Sequence, residues 1–469
     1  MIETLRHTAH GWWLDDAGPA EPLPPQRVPA RADVVVAGGG YTGMWAAWHI
    51  KQLEPAASVV ICDAGTCGEG PSGRNGGFVN DLWIDLPKMR QAFGDEPALD
   101  LARAAEEAVA DIGSFCASEK VDAGFRRGGY LRVATTAGHD SAPLWKAVDA
   151  CQAVGAPEAC RRVDAAEVAS RCASPLFRSG VLFAGGATVH PGRLARGLRS
   201  RLVAAGVTLL EGEPLRHVRG SGSDLVAVTS NREIHAGALV LATGPRLAGM
   251  RPLRGRLTVT SSHMVITEPV PDILEELGWT GGECITDMRT MVHYMRTTRD
   301  GRIAFGWGGG RVVFGARTGG RAELDRSVVA RVEKNLRRFF PQLAGRRVEA
   351  GWGGPIDVSP THLPLVGTIP GRRISFGVGY TGNGVGPSCL VGRTLASLAL
   401  ERADRHSRLA FVNAESPRVP PEPLRFAGGS IVRAALLRKE AAEERGERPG
   451  RISSLVAGIP ERFGIHIGR

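Results

Sequence analysis

The sequence predicts an α/β fold, on three observations. A β-branched run, Asp33-Val34-Val35-Val36-Ala37, enters a glycine cluster, Gly38-Gly39-Gly40, and a helix-like run opens at once on Tyr41-Thr42-Gly43. A second β-like run, Ser58-Val59-Val60-Ile61-Cys62, ends in Asp63. A third, Ala238-Leu239-Val240-Leu241-Ala242-Thr243-Gly244, is apolar on both faces, as a central parallel strand is. Strand, tight turn and helix N-terminus together suit a pyrophosphate. Gly38 lets the chain turn, Gly40 lets the backbone approach the phosphates, and Gly43 lets helix and strand pack. Asp63, at the end of the next strand, is placed to accept a ribose hydroxyl.

Composition bounds the remainder. The chain has 469 residues, enough for two or three domains, one of which can interrupt another. A hydrophobic content of 43% with 23% charged residues is ordinary for a globular protein. The formal charge of +10 is carried mostly by Arg spread along the chain. A nucleic-acid binder would cluster it on one element, so no nucleic acid is expected. The eight cysteines (62, 67, 116, 151, 160, 172, 284 and 389) form no CxxC pair and no metal-type spacing with His, so no metal site is expected. With no signal-type apolar segment and no run long enough to span a bilayer, the expected location is cytoplasmic.

In chain order, residues 1–29 read as an extended, Pro-rich arm with Trp12-Trp13 as packing anchors. After the first βαβ unit comes Gly70-Pro71-Ser72-Gly73-Arg74-Asn75-Gly76-Gly77, a loop able to present N–H groups and the Ser72 hydroxyl to a phosphate or a flat ring. Apolar spacing predicts a helix over 95–120, a strand over 125–134, two helices within 140–172, short strands at 180–183 and 187–189, and a helix over 192–205. Short strands follow at 207–211, 225–230, 257–267, 291–296, 302–306 and 312–314, then a helix over 325–339. Gly351-Trp352-Gly353-Gly354-Pro355-Ile356 precedes a strand at 374–378. A second glycine turn, Gly379-Tyr380-Thr381-Gly382-Asn383-Gly384-Val385-Gly386, leads into a helix over 388–402. The tail, 406–469, is expected to carry one helix (430–445) docked by Ile431, Ala434, Ala435 and Leu436 or Leu437.

These separated motifs resemble the FAD-dependent amine and amino-acid oxidases of the D-amino-acid-oxidase (DAO) type, the group with glycine oxidase, sarcosine oxidase and γ-glutamylputrescine oxidase. The resemblance rests on 38–43 with Asp63, the loop 70–77, the strand end Ala242-Thr243-Gly244 and the turn 379–386. It implies an α+β protein: a Rossmann-like FAD-binding domain of the glutathione-reductase type (30–88, 186–252 and 355–405) and a mixed, largely antiparallel substrate domain (89–185 and 253–354). It further implies that Gly38, Gly39, Gly40, Tyr41, Thr42 and Gly43 hold the pyrophosphate, and Asp63 and Ala64 the ribose. Leu215 would meet the adenine. Gly70, Ser72, Arg74, Asn75 and Gly76, with Thr243 and Gly244, would line the cofactor. Gly382, Asn383, Gly384 and Val385 would offer N–H groups to the flavin carbonyls. Tyr294 matches the family's substrate-facing Tyr; His293 and Trp352 are further candidates beside the reacting centre. Strand alternation puts Tyr294 and Arg296 on one face and His293 on the other.

Two departures narrow the expectation. Gly354 stands where sarcosine-oxidase-type members carry the Cys that bonds the flavin, so FAD is expected to be non-covalent. Glycine oxidase has an Arg after the same Trp-x-Gly to clamp a carboxylate; here Gly354-Pro355 follows, which argues for an amine over a plain α-amino acid. The stretches 263–269 and 292–294 and the tail 420–443 resemble the aminophosphonate oxidoreductase group. The implied reaction is hydride transfer from the carbon next to nitrogen, with O2 or another carrier as acceptor. A dehydrogenase, an aminophosphonate-oxidising enzyme, a flavin-binding protein without catalysis and a nicotinamide enzyme are the competing readings.

Overall fold

In the computed structural model, described here for residues 5–251 and 253–466, two sheets flank one long cleft. The first sheet has eight strands. At its centre Arg31–Ala37 lies parallel to Val59–Cys62 on one side and Glu233–Leu241 on the other. Thr208–Leu210 extends the sheet beyond Val59–Cys62. Glu233–Leu241 has two neighbours along its other edge: its first half pairs antiparallel with Asp224–Val228, its second half parallel with Ile374–Val378. The central strands are buried on both faces, which their unbroken apolar runs require. Helices Tyr41–Leu53, Pro191–Ala204 and Val385–Ala399 pack on one face, where Met44, Trp45, Ile50, Leu194, Leu198 and Leu395 join one core.

The second sheet has nine strands, ordered Arg6–His7, Val348–Val358, Thr258–Thr267, Ile303–Trp307, His293–Thr297, Cys284–Asp287, Tyr130–Val133, Gly180–Phe183 and Cys160–Val163. Its outer face is closed by the helix Arg326–Phe339, whose Val329, Val332, Leu336 and Phe339 are fully buried against Phe305, Met295 and Trp279. Mixed α/β architecture is therefore observed, with a mostly parallel sheet and a mostly antiparallel one.

Several local expectations need correction. The N-terminal arm is not simply extended: Arg6–His7 pairs parallel with Val348–Val358, and Trp12–Ala17 is a short helix. A strand, Cys160–Val163, separates the helices Ala142–Ala153 and Ala165–Arg171, because the break after Pro157 leaves room for an edge strand. The strand expected at 125–134 shrinks to Tyr130–Val133, and 312–314 keeps only an isolated bridge from Val312 to Thr260. The strand Val348–Val358 runs unbroken through position 355. Among its described residues the tail carries two α-helices, Leu424–Glu444 and Arg451–Ala457, and Ile431 faces solvent while Val432, Ala435 and Leu436 are buried. No helix among the described residues is long and apolar enough to cross a membrane, and no cluster of three metal-type side chains occurs among them. All eight cysteines are buried free thiols.

Candidate active site

A cleft of about 1420 Å³ runs from Asp63 and Leu215 past the glycine turn to Tyr294 and Trp352. Drug-sized ligands occupy roughly 300–1,000 Å³, so this space suits something longer. At its first end Gly38 has φ +105°, and a Cβ there would lie 2.4 Å from the Ala242 carbonyl oxygen. The turn is therefore pressed against the strand end Ala242-Thr243. A Cβ on Gly43 would meet the Gly38 oxygen at 1.9 Å. Helix Tyr41–Leu53 starts on Gly40 with no side-chain cap, which leaves the dipole's positive end facing the cleft. Asp63 accepts the Gly39 N–H at 2.7 Å and the Gly65 N–H at 2.8 Å. Burial raises its pKa against those two bonds.

The loop 70–77 closes one side. Ser72 Oγ accepts the Tyr41 N–H at 2.8 Å. Asn75 donates to the Ser72 carbonyl at 2.6 Å and accepts the Gly77 N–H at 2.7 Å. Arg74 donates to the Ala9 carbonyl at 2.8 Å and pairs with Glu323 at 3.2 Å. Both side chains line the cleft, yet these bonds commit them to shaping the loop.

The second glycine turn closes the other side. Helix Val385–Ala399 begins behind Gly384 without a side-chain cap. Asn383 Nδ2 donates to the Asp81 carbonyl at 3.3 Å. Asp357 accepts the Gly379 N–H at 2.7 Å through its carboxylate and the Thr381 N–H at 2.9 Å through its carbonyl. Burial pushes its pKa up to about 6. The Thr42 and Tyr380 hydroxyls share a 2.7 Å hydrogen bond, which joins the two glycine turns directly.

Beyond them stands a wall of the nine-stranded sheet. Tyr294 lies across from Gly306, where any Cβ would sit 2.1 Å from the ring. Its hydroxyl shares a 2.7 Å hydrogen bond with Ser262, which donates to the Trp307 carbonyl at 3.1 Å. Thr286 and the Tyr130 hydroxyl are 2.6 Å apart. Met264, Val292 and Phe78 complete the lining.

Residues 33–398 match the DAO family, described as FAD dependent oxidoreductase. The chain belongs to this family. The oxidoreductase is 27% identical over 443 residues to the "Probable oxidoreductase OrdL" of Rhizobium meliloti, covering 91% of this chain and 94% of that protein. It is 28% identical over 413 residues to the gamma-glutamylputrescine oxidoreductase of Escherichia coli, covering 87% and 91%. Among solved structures, glycine oxidase from Geobacillus kaustophilus superposes with a TM-score of 0.66 at 20% identity, over 81% of this chain and 98% of that one.

FAD is the cofactor of this family, and the cleft fits it. Two helix N-termini whose cap residues are glycines, and a glycine backbone, face its length, which is what two phosphates and an electron-rich ring require. Of the residues singled out in the sequence, Gly38, Gly39, Gly40, Tyr41, Thr42, Asp63, Ala64, Gly70, Ser72, Arg74, Asn75, Gly76, Leu215, Thr243, Gly244, Gly382, Asn383, Gly384, Val385, Tyr294 and Trp352 line this one cleft. Gly43 lies behind it.

His293 is not brought to the cleft. On the other face of its strand, its Nδ1 is 2.7 Å from Asp287 and its Nε2 2.8 Å from Asn335, among Phe305, Trp307 and Phe339. Burial lowers its pKa, against the pull of the Asp287 carboxylate beside it. Trp352 is fully buried, donates its indole N–H to the Arg74 carbonyl at 2.8 Å and packs edge-on against Trp13. Ser262, Thr286, Glu323 and Asp357 line the cleft without a sequence signal. Each is an ordinary polar residue until the strands place it.

Proposed function

We propose that the oxidoreductase oxidises an amine at the carbon next to nitrogen, with FAD held non-covalently and O2 as the electron acceptor. Bound FAD supplies the hydride acceptor, and the resulting imine is hydrolysed by water to a carbonyl. The observation that carries the reading is the chemistry of the substrate wall. It is aromatic and weakly polar, and its nearby guanidinium groups are already engaged. Arg74 is tied to Ala9 and Glu323. Arg296 is buried and donates to the Gly77 and Thr297 carbonyls at 3.3 and 3.0 Å. Among the described residues, neither of these guanidinium groups is free to clamp an α-carboxylate, whereas a neutral amine needs only orientation.

In this reading Tyr294, fixed by Ser262, orients the substrate, and Trp352 positions the loop 70–77 through Arg74. The N-terminus of Val385–Ala399 favours negative charge developing at that end of the cleft. Gly354, where the family resemblance would set a flavin-bonding Cys, carries no side chain and a Cβ there would meet nothing within 4 Å, and Cys389 lies in a helix with its thiol 3.6 Å from His49. The E. coli relative's name, gamma-glutamylputrescine oxidoreductase, supports a substrate of the amine class.

The test is an anaerobic screen of flavin bleaching with diamines, γ-glutamyl amines, aminophosphonates and N-methyl amino acids. At least one should bleach the flavin, and peroxide should match carbonyl on re-aeration. Robust turnover of glycine or D-alanine would overturn the missing-clamp argument. Bleaching without peroxide would assign a dehydrogenase. Acid precipitation should leave the yellow colour in the supernatant.

A further inference from the structure

The family match ends at residue 398, yet the later helix Leu424–Glu444 is fastened to two loops of the substrate wall. One is the stretch 308–325, whose Gly308, Thr318 and Glu323 line the cleft. Arg433 donates to the Gly309 carbonyl at 2.6 Å and also to the Gly310 carbonyl. Just before the helix, Glu422 accepts the Gly315 N–H at 3.0 Å and is held by Arg425 at 2.8 Å. Phe426 packs edge-on against Phe314, with ring centroids 5.6 Å apart.

The other is the turn from Asp287 to His293, between Thr286 on one strand and Tyr294 on the next; both, and Val292 within the turn, are in the cleft lining. Glu440, buried in the same helix, accepts the Met291 N–H at 2.8 Å. Glu444 pairs with Arg289, which pairs with Asp287 at 3.0 Å. Asp287 accepts the His293 N–H at 2.9 Å. The two loops are joined where the Gly308 N–H meets the Val292 carbonyl at 2.9 Å.

A helix that merely docked would need only its apolar side chains, Val432, Ala435 and Leu436. Here a part-buried Arg and a buried Glu are spent on main-chain groups of the wall, and a polar group is buried only where its partner is present. The stretch 308–325 has six glycines, so its unbraced form is costly to order. We propose that the C-terminal helix is a positioning element of the active site: through Arg433 and Glu440 it sets the opening on the substrate side of the cleft. Access to the flavin and discrimination by substrate size then depend on residues outside the family domain.

The proposal rests on family membership, not on the amine reading. The test uses the full-length, FAD-loaded protein and Arg433→Ala, Glu440→Ala and Ile431→Ser, the last an exposed position on the same helix. FAD content and thermal unfolding report the fold, and acrylamide quenching of flavin fluorescence reports access. Arg433→Ala and Glu440→Ala should raise the quenching constant severalfold at wild-type FAD content, and Ile431→Ser should not. With any amine that bleaches the flavin, the ratio of KM values for a bulky and a small analogue should shift by about 2- to 30-fold. Wild-type quenching in both FAD-loaded variants would overturn the proposal. Should both lose FAD, Arg433→Lys, whose single nitrogen cannot reproduce the two-nitrogen grip on Gly309 and Gly310, decides by the same readout: unchanged quenching refutes it. If no amine bleached the flavin, the amine reading would fall, and the quenching comparison would still stand.

Discussion

At the phosphate end of the cleft the working groups are main-chain N–H groups placed by glycines, whereas at the substrate end they are side chains from separate strands. Gly38, Gly40 and Gly43 come within one turn, and their spacing alone fixes what they can do. Ser262, Thr286 and Tyr294 come from three strands that meet only after the nine-stranded sheet has formed. A backbone site tolerates little change and says little about the ligand beyond its phosphates. A side-chain site tolerates more and holds the specificity.

Four substitutions test that contrast. Gly38→Ala should be the most damaging, because it adds a Cβ 2.4 Å from a carbonyl oxygen at φ +105°. We expect a loss of about 2–5 kcal/mol, seen as absent flavin absorbance in purified protein; full FAD content at wild-type melting temperature would refute the backbone account. Asp63→Ala removes the acceptor of two N–H bonds. It should cost about 1.5–3 kcal/mol in FAD affinity, measured by titrating FAD into the apoprotein.

His263, between the cleft residues Ser262 and Met264, sharpens the contrast through pH. Its Nε2 accepts the Asp325 N–H at 3.0 Å, and burial lowers its pKa to about 4. The unfolded chain protonates below about 6.5, so this histidine's contribution is complete above that pH and is lost as pH falls toward 4. His263→Gln keeps an acceptor but does not titrate. The stability advantage of wild type over this variant should shrink by about 1–2 kcal/mol between pH 7 and 5, read from denaturant midpoints; a constant difference would count against a neutral buried imidazole. Tyr294→Phe should have the smallest effect: the Ser262 bond is lost, kcat/KM falls by an amount worth about 0.5–1.5 kcal/mol, and FAD content stays at the wild-type level.

Legibility in the sequence follows the same division. The parallel strands, the glycine turns and the α/β class could be read because each is local or nearly so. The pairing of Arg6–His7 with Val348–Val358 and the edge strand Cys160–Val163 could not, because each depends on a strand outside its own segment. His293 shows the limit well. The sequence placed it correctly on the face opposite Tyr294, but only the structure shows what that face meets: Asp287, Asn335 and a core of aromatic rings. Arg74 and Asn75 stand in the expected loop, and their hydrogen bonds run within the protein, which residue type alone does not reveal.

The central sheet also sets a timetable for synthesis. Glu233–Leu241 lies between Arg31–Ala37, from the first part of the chain, and Ile374–Val378, from near its end. Loops of that length close slowly, and an unpaired parallel edge invites aggregation while it waits. The ribosome must therefore deliver the chain through residue 385, where the last helix facing the cofactor begins, before FAD has a complete site. Until then the nascent chain carries a flavin cradle with one wall missing, and a ligand that binds only the finished cradle stabilises it by mass action.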